Sequence, residues 1–321
     1  MRYLARIFVV LELLVSSFTF AQDYPNRPIK VVVPWPAGQA TDIAARIVAE
    51  KLAAALGQPL VIDNRPGAGG IIGTEFASKA SPDGYTILAA SSGPISVNPN
   101  VQKVPYSADK DFEPICLIAS TPYVLVTHPS FPAANAVEFI ALLRANPGKY
   151  TFASSGHATT THLFTELFNT SAKLTATHVP YKGSSPALTD LVGGHVTYMI
   201  ETTAAVMGHV KAGRLKALAV SGATRAIALP DLPTIAEAAN LPDFDMRGWI
   251  GLLAPAGMTR DTRMRLAVAA QKVLEKPEIK ERFLALGVEP SPLMLDEFSE
   301  FLKKQSDRYA AIAKQANIRL D

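Results

Sequence analysis

The sequence predicts an α/β protein in which parallel β-sheets are covered by helices and divided between two lobes. Short apolar strands alternate with amphipathic helices along most of the chain, a pattern typical of parallel sheets. The length of 321 residues corresponds to about two domains of ordinary size. Two apolar segments, residues 115–126 and 215–221, flank the middle of the chain and are predicted to cross between the lobes as a two-strand hinge. A hinge of this kind forms a clamp for a small ligand.

In the first part of the chain, three predicted strands each run into a loop of small residues. The strands cover residues 29–33, 60–63 and 85–90, and helices follow at residues 43–56 and up to about residue 80. The first helix begins at Thr41 or Asp42, which are both good N-cap residues, and it ends at Gly57. The third strand ends in Ser91 and Ser92.

The middle of the chain repeats this arrangement. Strands are predicted at residues 150–153, 176–180, 196–201 and 215–220, and a helix follows each of the first three. A loop rich in hydroxyl groups, residues 154–161, comes directly after the first of these strands. In open α/β sheets, ligands bind outside the carboxyl ends of the strands. Because the loops at these ends expose backbone N–H groups and hydroxyls, they favour an anionic ligand.

The two crossings divide the chain into two predicted lobes. The first lobe is discontinuous, with residues 22–121 and 223–321, and the second lobe has residues 122–222. In the tail, residues 296–318 are predicted to form a helix that packs against the first lobe. Its large apolar residues, among them Phe298 and Tyr309, indicate packing rather than chemistry.

Residues 1–21 have the three parts of a signal peptide. Arg2 and Arg6 give a positive start, an apolar run follows, and small residues precede a cleavage point after Ala21. The apolar run is shorter than the roughly 20 residues that span a membrane. The residue directly after the cleavage point is not a cysteine, which argues against a lipid anchor. We therefore expect an exported chain, free in solution in the periplasm.

Composition excludes several classes of function. The chain has 31 Lys and Arg against 28 Asp and Glu, a formal net charge of +3, and no long basic run, so a nucleic-acid partner is not expected. A single cysteine, Cys116, excludes an intramolecular disulfide and a multi-thiolate metal site. No metal and no cofactor are expected.

Three other functions stay open as minor alternatives: a hydrolase, a metal-binding protein and an extracytoplasmic sensor subunit. A hydrolase would use Ser155 with His157 or His162. The chain has no H-E-x-x-H or G-x-S-x-G motif, and His157 and His162 are five residues apart, which is off the spacing of helical metal ligands. We therefore expect a binding protein rather than an enzyme.

The candidate ligand-binding residues lie at the predicted strand ends. A helix N-terminus at residues 37–41 offers N–H groups to an anion, unless Asp42 only caps its own turn. Trp35 is either a core residue or a stacking platform, and Glu201 is either a solvated acid or a selector of ligand charge. The candidates that these loops supply are Trp35, Ala37, Gly38, Gln39, Thr41, Ser91, Ser92, Ser154, Ser155, Gly156, Thr159, Thr160 and Glu201. Because cations are scarce in these loops, we expect N–H groups and hydroxyls to hold the ligand.

Five ordered segments resemble the substrate-binding proteins of tripartite tricarboxylate transporters, also called the Bug family. They are residues 36–42, 64–70, 179–183, 231–237 and 249–257. The resemblance implies a type II periplasmic-binding-protein fold, capture of a small carboxylate (a di- or tricarboxylate, an amino acid or an aromatic acid) and delivery to a membrane permease. It also implies that Ala68, Gly69 and Tyr181 line the ligand pocket. Such a clamp is expected to act as a monomer.

Three positions depart from the family pattern. Gln39 stands where a second glycine is usual, Trp35 where Phe is common, and Glu201 where the strand usually ends in Asp. All three are predicted at strand ends that face the cleft. They therefore bear on which carboxylate is bound and not on the fold.

Overall fold

The computed structural model of the chain describes residues 24–242, 244–315 and 318. The predicted signal peptide, residues 1–21, lies outside the described residues. Within the described part, no helix is both long enough and apolar enough to cross a membrane.

The first lobe is built on three parallel strands. These are β1 (Ile29–Val33), β2 (Leu60–Asn64) and β3 (Thr86–Ser91), with β1 between the other two. Helix α1 (Ala40–Leu56) follows β1, and a 3-10 turn (Ala68–Gly70) leads from β2 into α2 (Ile71–Ser78). A π-helical turn (Gly93–Val97) and the short α3 (Asn98–Val101) follow β3. The predicted strands and loops are thus confirmed here to within one or two residues.

The second lobe repeats the strand–helix alternation. Its strands are β5 (Thr151–Ser154), β6 (Thr177–Pro180), β7 (Tyr198–Thr202) and β8 (Lys216–Val220). Its helices are α4 (Ala136–Ala145), α5 (Thr160–Ala172), α6 (Ser184–Val192) and α7 (Thr203–Lys211). β5 pairs in parallel with both β6 and β7, so the carboxyl ends of all three strands lie at one edge.

Two antiparallel strands carry the sheet from one lobe to the other. β4 (Phe112–Thr127) pairs with β9 (Arg247–Pro255) over its first part and with β7 and β8 from Tyr123 onward. The path through the sheet is β2-β1-β3-β9-β4-β7-β5-β6, with β8 and β10 (Glu289–Pro290) also paired to β4. The two-strand hinge is therefore β4 with β9.

One predicted crossing is wrong. Residues 215–221 were expected to cross between lobes, but β8 pairs with β4 only at residues 124–127 and stays in the second lobe. The crossing is made by β9, where Gly248 lies opposite Thr121. An apolar run of this length indicates a buried strand, and its periodicity does not distinguish a central strand from a crossing one.

The tail helix contacts both lobes, not the first alone. It is α11 (Leu295–Gln315), which follows α8 (Ile235–Ala239), α9 (Arg260–Leu274) and α10 (Pro277–Ala285). Near its start, Phe298 packs edge-on against Trp249 of β9, with the ring centroids 5.8 Å apart. Near its end, Tyr309 stacks on Phe164 of α5 at 5.9 Å. The helix thus links the lobes as a third connection.

Packing also bears on where the lobes divide. Residues 223–246 were assigned to the first lobe, yet Ile235, Phe244 and Met246 are buried in the same apolar cluster as Phe139 of the second lobe. We propose that the second lobe extends to about residue 246 and that the first lobe resumes with β9.

Gly251 tests the contact between β9 and α11. A Cβ atom at this position would lie 2.4 Å from Cζ of Phe298. We expect Gly251→Ala to lower the free energy of unfolding by about 1–3 kcal/mol through overpacking. Gly208 in α7 is the matched control, because nothing lies within 4 Å of its added Cβ. Gly208→Ala should raise stability by about 0.5–1 kcal/mol.

Urea unfolding followed by circular dichroism measures both changes. Equal midpoints for the two variants would contradict the packing of α11 on β9.

Candidate functional site

The loops at the strand ends of the two lobes come together beside the crossing strands. Gly93, just after β3, marks their meeting point. A Cβ atom placed on it would lie 3.4 Å from the Trp35 ring of the first lobe and 3.9 Å from Oγ1 of Thr160 in the second. Ser92 approaches the hinge itself, because a Cβ atom on Gly248 would lie 3.4 Å from its Oγ. The candidate site is therefore a cleft between the lobes, floored by β4 and β9.

In the first lobe, Asp42 organises the loop that leads into α1. Its carboxylate is 2% exposed and accepts hydrogen bonds from the Gly38 N–H at 2.8 Å, from Arg46 Nε at 3.0 Å and from Asn64 Nδ2 at 2.9 Å. Burial alone would raise the pKa of Asp42, but these hydrogen bonds outweigh it and the pKa lies below its ordinary value. The Gly38 N–H is thus occupied within its own turn. Asp42 thus satisfies its own turn, as the simpler interpretation of this loop required. The helix begins at Ala40 with Gln39 as its N-cap residue, so the predicted N-cap at Thr41 or Asp42 is wrong by two or three residues.

Gly38 nevertheless sets the shape of the loop. Its φ of 87° is a left-handed conformation that glycine adopts without strain. Gln39 is the N-cap residue of α1 and makes no side-chain capping hydrogen bond. Because the first N–H groups of an α-helix have no partner within the helix, those at the start of α1 stay available to an anion. Ala37, Gly38 and Gln39 are exposed, whereas Thr41 is buried.

Asn64 is a site residue that the sequence argument missed. Its Nδ2 donates to the carbonyl oxygen of Trp35 at 3.0 Å as well as to Asp42, and its Oδ1 accepts from Arg46 Nη2 at 2.9 Å. One amide side chain therefore fixes both ends of the loop between β1 and α1. The available signal was its place at the end of β2, directly before the glycine-rich segment.

The glycine-rich turn after β2 is left-handed throughout. Gly67, Ala68, Gly69 and Gly70 have φ values of 133°, 46°, 63° and 91°. Asn98 Nδ2 donates to the carbonyl oxygen of Gly69 at 3.0 Å and so anchors the turn to α3. Ala68 and Gly69 are exposed. The segment is thus a tight turn that also leaves two backbone units open to a ligand.

Trp35 is held at the cleft by a side-chain hydrogen bond. Its Nε1 donates to Oγ of Ser91 at 2.9 Å, and the ring is half-buried. Ser91 and Ser92 are both buried at the end of β3. With its polar atom satisfied, the ring presents an apolar wall beside Gly93. The π-helical turn that follows is a feature found frequently at functional sites.

In the second lobe, three hydroxyls form a cluster at the start of α5. Oγ of Ser155 lies 3.2 Å from Oγ1 of Thr159 and 2.9 Å from Oγ1 of Thr161. Thr159 is the N-cap residue of α5 and makes no side-chain capping bond to the helix. The start of α5 therefore offers N–H groups from the lobe opposite α1, next to Gly156 and Thr160. Thr161 was not among the predicted residues, although it belongs to the predicted loop.

Two predicted residues of this lobe direct their hydroxyls elsewhere. Ser154 has no exposed surface, and its Oγ donates to the carbonyl oxygen of Gly156 at 2.9 Å and lies 2.7 Å from Nε2 of His178. The Tyr181 hydroxyl donates to Asp190 at 2.6 Å. Burial, together with that carboxylate, raises the pKa of Tyr181 to about 12. Both hydroxyl groups therefore form hydrogen bonds within the second lobe.

Glu201 is buried, so the interpretation as a solvated acid is wrong. It is 2% exposed at the end of β7, where Oε2 accepts from Ser184 Oγ at 2.6 Å and Oε1 accepts from the Thr202 N–H at 2.7 Å. Burial raises the pKa of this carboxyl, although both hydrogen bonds act against the shift. No basic side chain pairs with it among the described residues.

The two cations nearest the predicted loops are Arg65 and Lys182. Arg65 donates to Asp63 at 2.8 Å and stacks on Phe76, 3.5 Å from the ring centroid. Lys182 is exposed and forms no ion pair within the described part of the chain. Arg65 therefore has its charge paired within the protein, whereas Lys182 does not.

The hydrolase hypothesis has no geometric support. Ser155 contacts threonine hydroxyls rather than a histidine. The Ser–His pair that does form joins Ser154 to His178, and Ser154 has no exposed surface for a substrate. Across the described residues, no group of three or more His, Cys, Asp or Glu is arranged to hold a metal ion.

Comparisons with known proteins agree with this architecture. The sequence model of the tripartite tricarboxylate transporter family receptor matches residues 44–318. The chain belongs to this family. It is 36% identical over 302 residues to the protein BugT of Bordetella pertussis, covering 94% of this chain and 92% of BugT. It is 39% identical over 297 residues to a UPF0065 protein encoded between tcbD and tcbE in a Pseudomonas species, covering 92% and 88% of the two chains.

Two solved structures of relatives contain a ligand. Rpa4515 of Rhodopseudomonas palustris with adipate superposes with a TM-score of 0.84 at 32% identity, covering 92% of this chain and 99% of that one. MatC of the same organism with bound malate gives 0.77 at 29% identity, covering 90% and 99%. The fold is therefore that of the periplasmic binding proteins of this family, with two lobes, as the sequence resemblance implied.

The raised pKa of Glu201 predicts a pH-dependent stability difference. Because the folded carboxyl has a higher pKa than the unfolded one, the folded state binds more protons in the window above the unfolded pKa of about 4.5, and stability falls as pH rises through it. In Glu201→Gln the side chain does not titrate, so this fall in stability with rising pH is removed. The variant should gain stability over the parent at neutral pH, and the gain should shrink in acid.

Thermal unfolding across this pH range measures the gain. Glu300→Gln, at an exposed acid in α11, is the control for the loss of one carboxyl at the surface. A gain that grows toward acid pH would contradict the buried, uncompensated carboxyl.

Proposed function

We propose that this chain is a periplasmic solute-binding protein that captures a small carboxylate in the cleft between its lobes and presents it to a membrane permease. The observation that supports the proposal is the meeting of Trp35 and Thr160 at Gly93, which brings the loop before α1 close to the start of α5. Neither helix has a side-chain hydrogen bond at its N-cap, so both starts keep N–H groups for an anion. Family membership supports a receptor rather than an enzyme, and transport rather than signalling.

The ligand class is carried over from relatives. Adipate and malate, the ligands named for two relatives of the same fold, are both small dicarboxylates. A carboxylate suits the groups present in this cleft, because hydrogen bonds to a charged acceptor contribute about 1.5–3 kcal/mol each. We infer that the ligand of this chain is a small carboxylate with an apolar or weakly polar body.

Each lobe holds one side of the ligand in this proposal. The first lobe supplies the start of α1 at residues 37–41, the turn at Ala68 and Gly69, and the residues after β3. The second lobe supplies Ser155, Gly156, Thr159 and Thr160, with Thr161 added to the predicted set. Ser154, Tyr181 and Asn64 support these loops without direct contact. Trp35 forms an apolar wall, and Glu201 sets the charge preference of the second lobe.

Closure of the lobes on the ligand follows from this division. The lobes approach each other by bending of β4 and β9, which removes water from the carboxylate and strengthens its hydrogen bonds. The chain acts as a monomer in this scheme, because both halves of the site come from one molecule.

A carboxylate panel tests the proposal. Adipate, malate, citrate, an amino acid and benzoate are added to the purified mature chain, and thermal shift ranks them before calorimetry. We expect at least one to bind and to reduce the radius of gyration in solution scattering. The matching amides and alcohols serve as uncharged controls. If the controls bind as tightly as the acids, or if the saturated protein does not compact, the proposal fails.

Substitutions separate a backbone site from a cation site. Gly38→Val and Gly69→Val force a branched side chain onto φ values of 87° and 63°, so they should abolish binding of the panel ligand. Arg65→Ala and Lys182→Ala should each weaken it less than about fivefold, since an exposed ion pair contributes under about 1 kcal/mol.

Calorimetry on variants whose circular dichroism matches the parent decides between the two kinds of site. Normal binding by both glycine variants together with loss in Lys182→Ala would identify a conventional cation clamp instead.

A further inference from the structure

Two histidine rings and a phenylalanine pack against the second-lobe ligand loop, residues 154–161, and a third histidine belongs to the loop. His162, in the first turn of α5, stacks on His178 of β6 with ring centroids 3.8 Å apart and an interplanar angle of 10°. Phe152 of β5 stacks on His178 at 4.8 Å. His157, in the loop itself, lies 4.9 Å from His162. Stacking at this distance suits uncharged rings, because two imidazolium ions would repel each other strongly.

Each stacked ring also contacts the loop through a nitrogen. The Ala158 N–H donates to Nδ1 of His162 at 3.0 Å, so that nitrogen carries no proton. His178 Nε2 lies 2.7 Å from Oγ of Ser154, and this Oγ in turn bonds both the N–H and the carbonyl oxygen of Gly156. The two rings therefore hold the loop at two separate points.

The loop needs such support because its backbone is unfavourable at Ala158 and relies on a glycine at position 156. Ala158 has a φ of 54°, a left-handed conformation that costs a residue with a side chain roughly 1–2 kcal/mol. Gly156 has a φ of 144°. These residues set the direction of the N–H groups at the start of α5, which the ligand uses in the proposed function.

We propose that His162 and His178 are positioning residues that keep the second-lobe loop in its binding shape only while both rings are uncharged. The proposal rests on the proposed function for its ligand, but not for its effect on the loop. A proton on Nδ1 of His162 removes the acceptor of the Ala158 N–H. A proton on either ring also places a positive charge against the other ring, whose centroid is 3.8 Å away.

The charged and titratable neighbours of the pair are few. On α5, Glu166 Oε1 lies 3.6 Å from His162 Nε2, and in the loop His157 faces both rings. The contacts from β5 are the uncharged Phe152 and Ser154. Burial first, and then the like charges of His162 and His157, lower the pKa of His178 to about 3.

The direction of the pH effect follows from this lowered value. Below the ordinary histidine pKa of 6.5, an opened loop takes up a proton that the closed loop excludes. Acid therefore favours the opened loop and weakens ligand binding. Simple attraction between a protonated histidine and a carboxylate would act in the opposite direction and strengthen binding in acid. The sign of the change separates the two mechanisms.

A double variant keeps the hydrogen-bonding atoms without the titration. In His162→Asn the amide oxygen replaces Nδ1, and in His178→Gln the amide replaces Nε2. Adipate and malate are the probes, and calorimetry compares the double variant with the parent between about pH 7.5 and about pH 5. We expect equal affinity at the higher pH and about tenfold or more advantage for the double variant at the lower one, as one pKa unit of difference corresponds to a factor of ten.

Because the parent and the double variant are compared at the same pH, the titration of the probe affects both affinities equally. His195→Gln, an exposed histidine outside the cluster, is the matched control and should follow the parent. The proposal is overturned if the double variant loses affinity in parallel with the parent, or if the parent binds more tightly in acid.

A second measurement needs no ligand, so that failure of the probes to bind concerns only the proposed function. Amide hydrogen exchange at Ala158 reports whether its N–H is released. In the ligand-free parent, exchange should speed up in acid relative to the double variant at the same pH. An unchanged ratio of the two rates would show that the rings do not hold the loop.

Discussion

The pairing of β4 with β9 is the constraint on which the rest of the structure depends. These two strands pair antiparallel in the middle of the sheet over residues 112–122 of β4, and from Tyr123 onward β4 pairs with β7 and β8 instead. Every loop of the candidate site begins at a strand end whose position is fixed by this pair. Because α11 packs on Trp249 at one end and on Phe164 at the other, a bend at the crossing must also move this helix. The closure proposed above therefore involves three connections.

Two buried acids lie among groups that would bind an anion, and the structure limits their repulsion in two different ways. Asp42 stays charged, since Arg46 and Asn64 lower its pKa, but its charge is paired and turned into its own loop. Glu201 has no basic partner among the described residues, and burial raises its pKa because it disfavours the charged form. Asp42 therefore presents a paired charge to the cleft, whereas both oxygens of Glu201 accept hydrogen bonds from its own lobe.

The sequence predicted the elements far better than the directions of their side chains. Apolar runs bounded by Gly, Pro and Ser place β1, β2, β3 and β5 to within a residue or two, because burial and turn chemistry are local properties. Hydroxyl direction is not local. The Ser154 hydroxyl contacts His178, which is 24 residues away on the neighbouring strand. This contact can be foreseen only from the strand order β7-β5-β6. Asn64 was missed for the same reason, since its partners Trp35 and Asp42 precede it by 29 and 22 residues.

A site made mainly of backbone groups divides recognition between two kinds of atom. In the proposed site, the N–H groups at the starts of α1 and α5 bind any carboxylate, because their direction depends on loop conformation and not on side-chain identity. Discrimination then falls to the side chains that contact the body of the ligand. Trp35, fixed by Ser91, and the exposed Gln39 are of this kind in the first lobe. The resemblance predicts that both positions differ from the usual family residues. In the proposed site, such differences alter the wall of the cleft and not the N–H groups that bind the carboxylate.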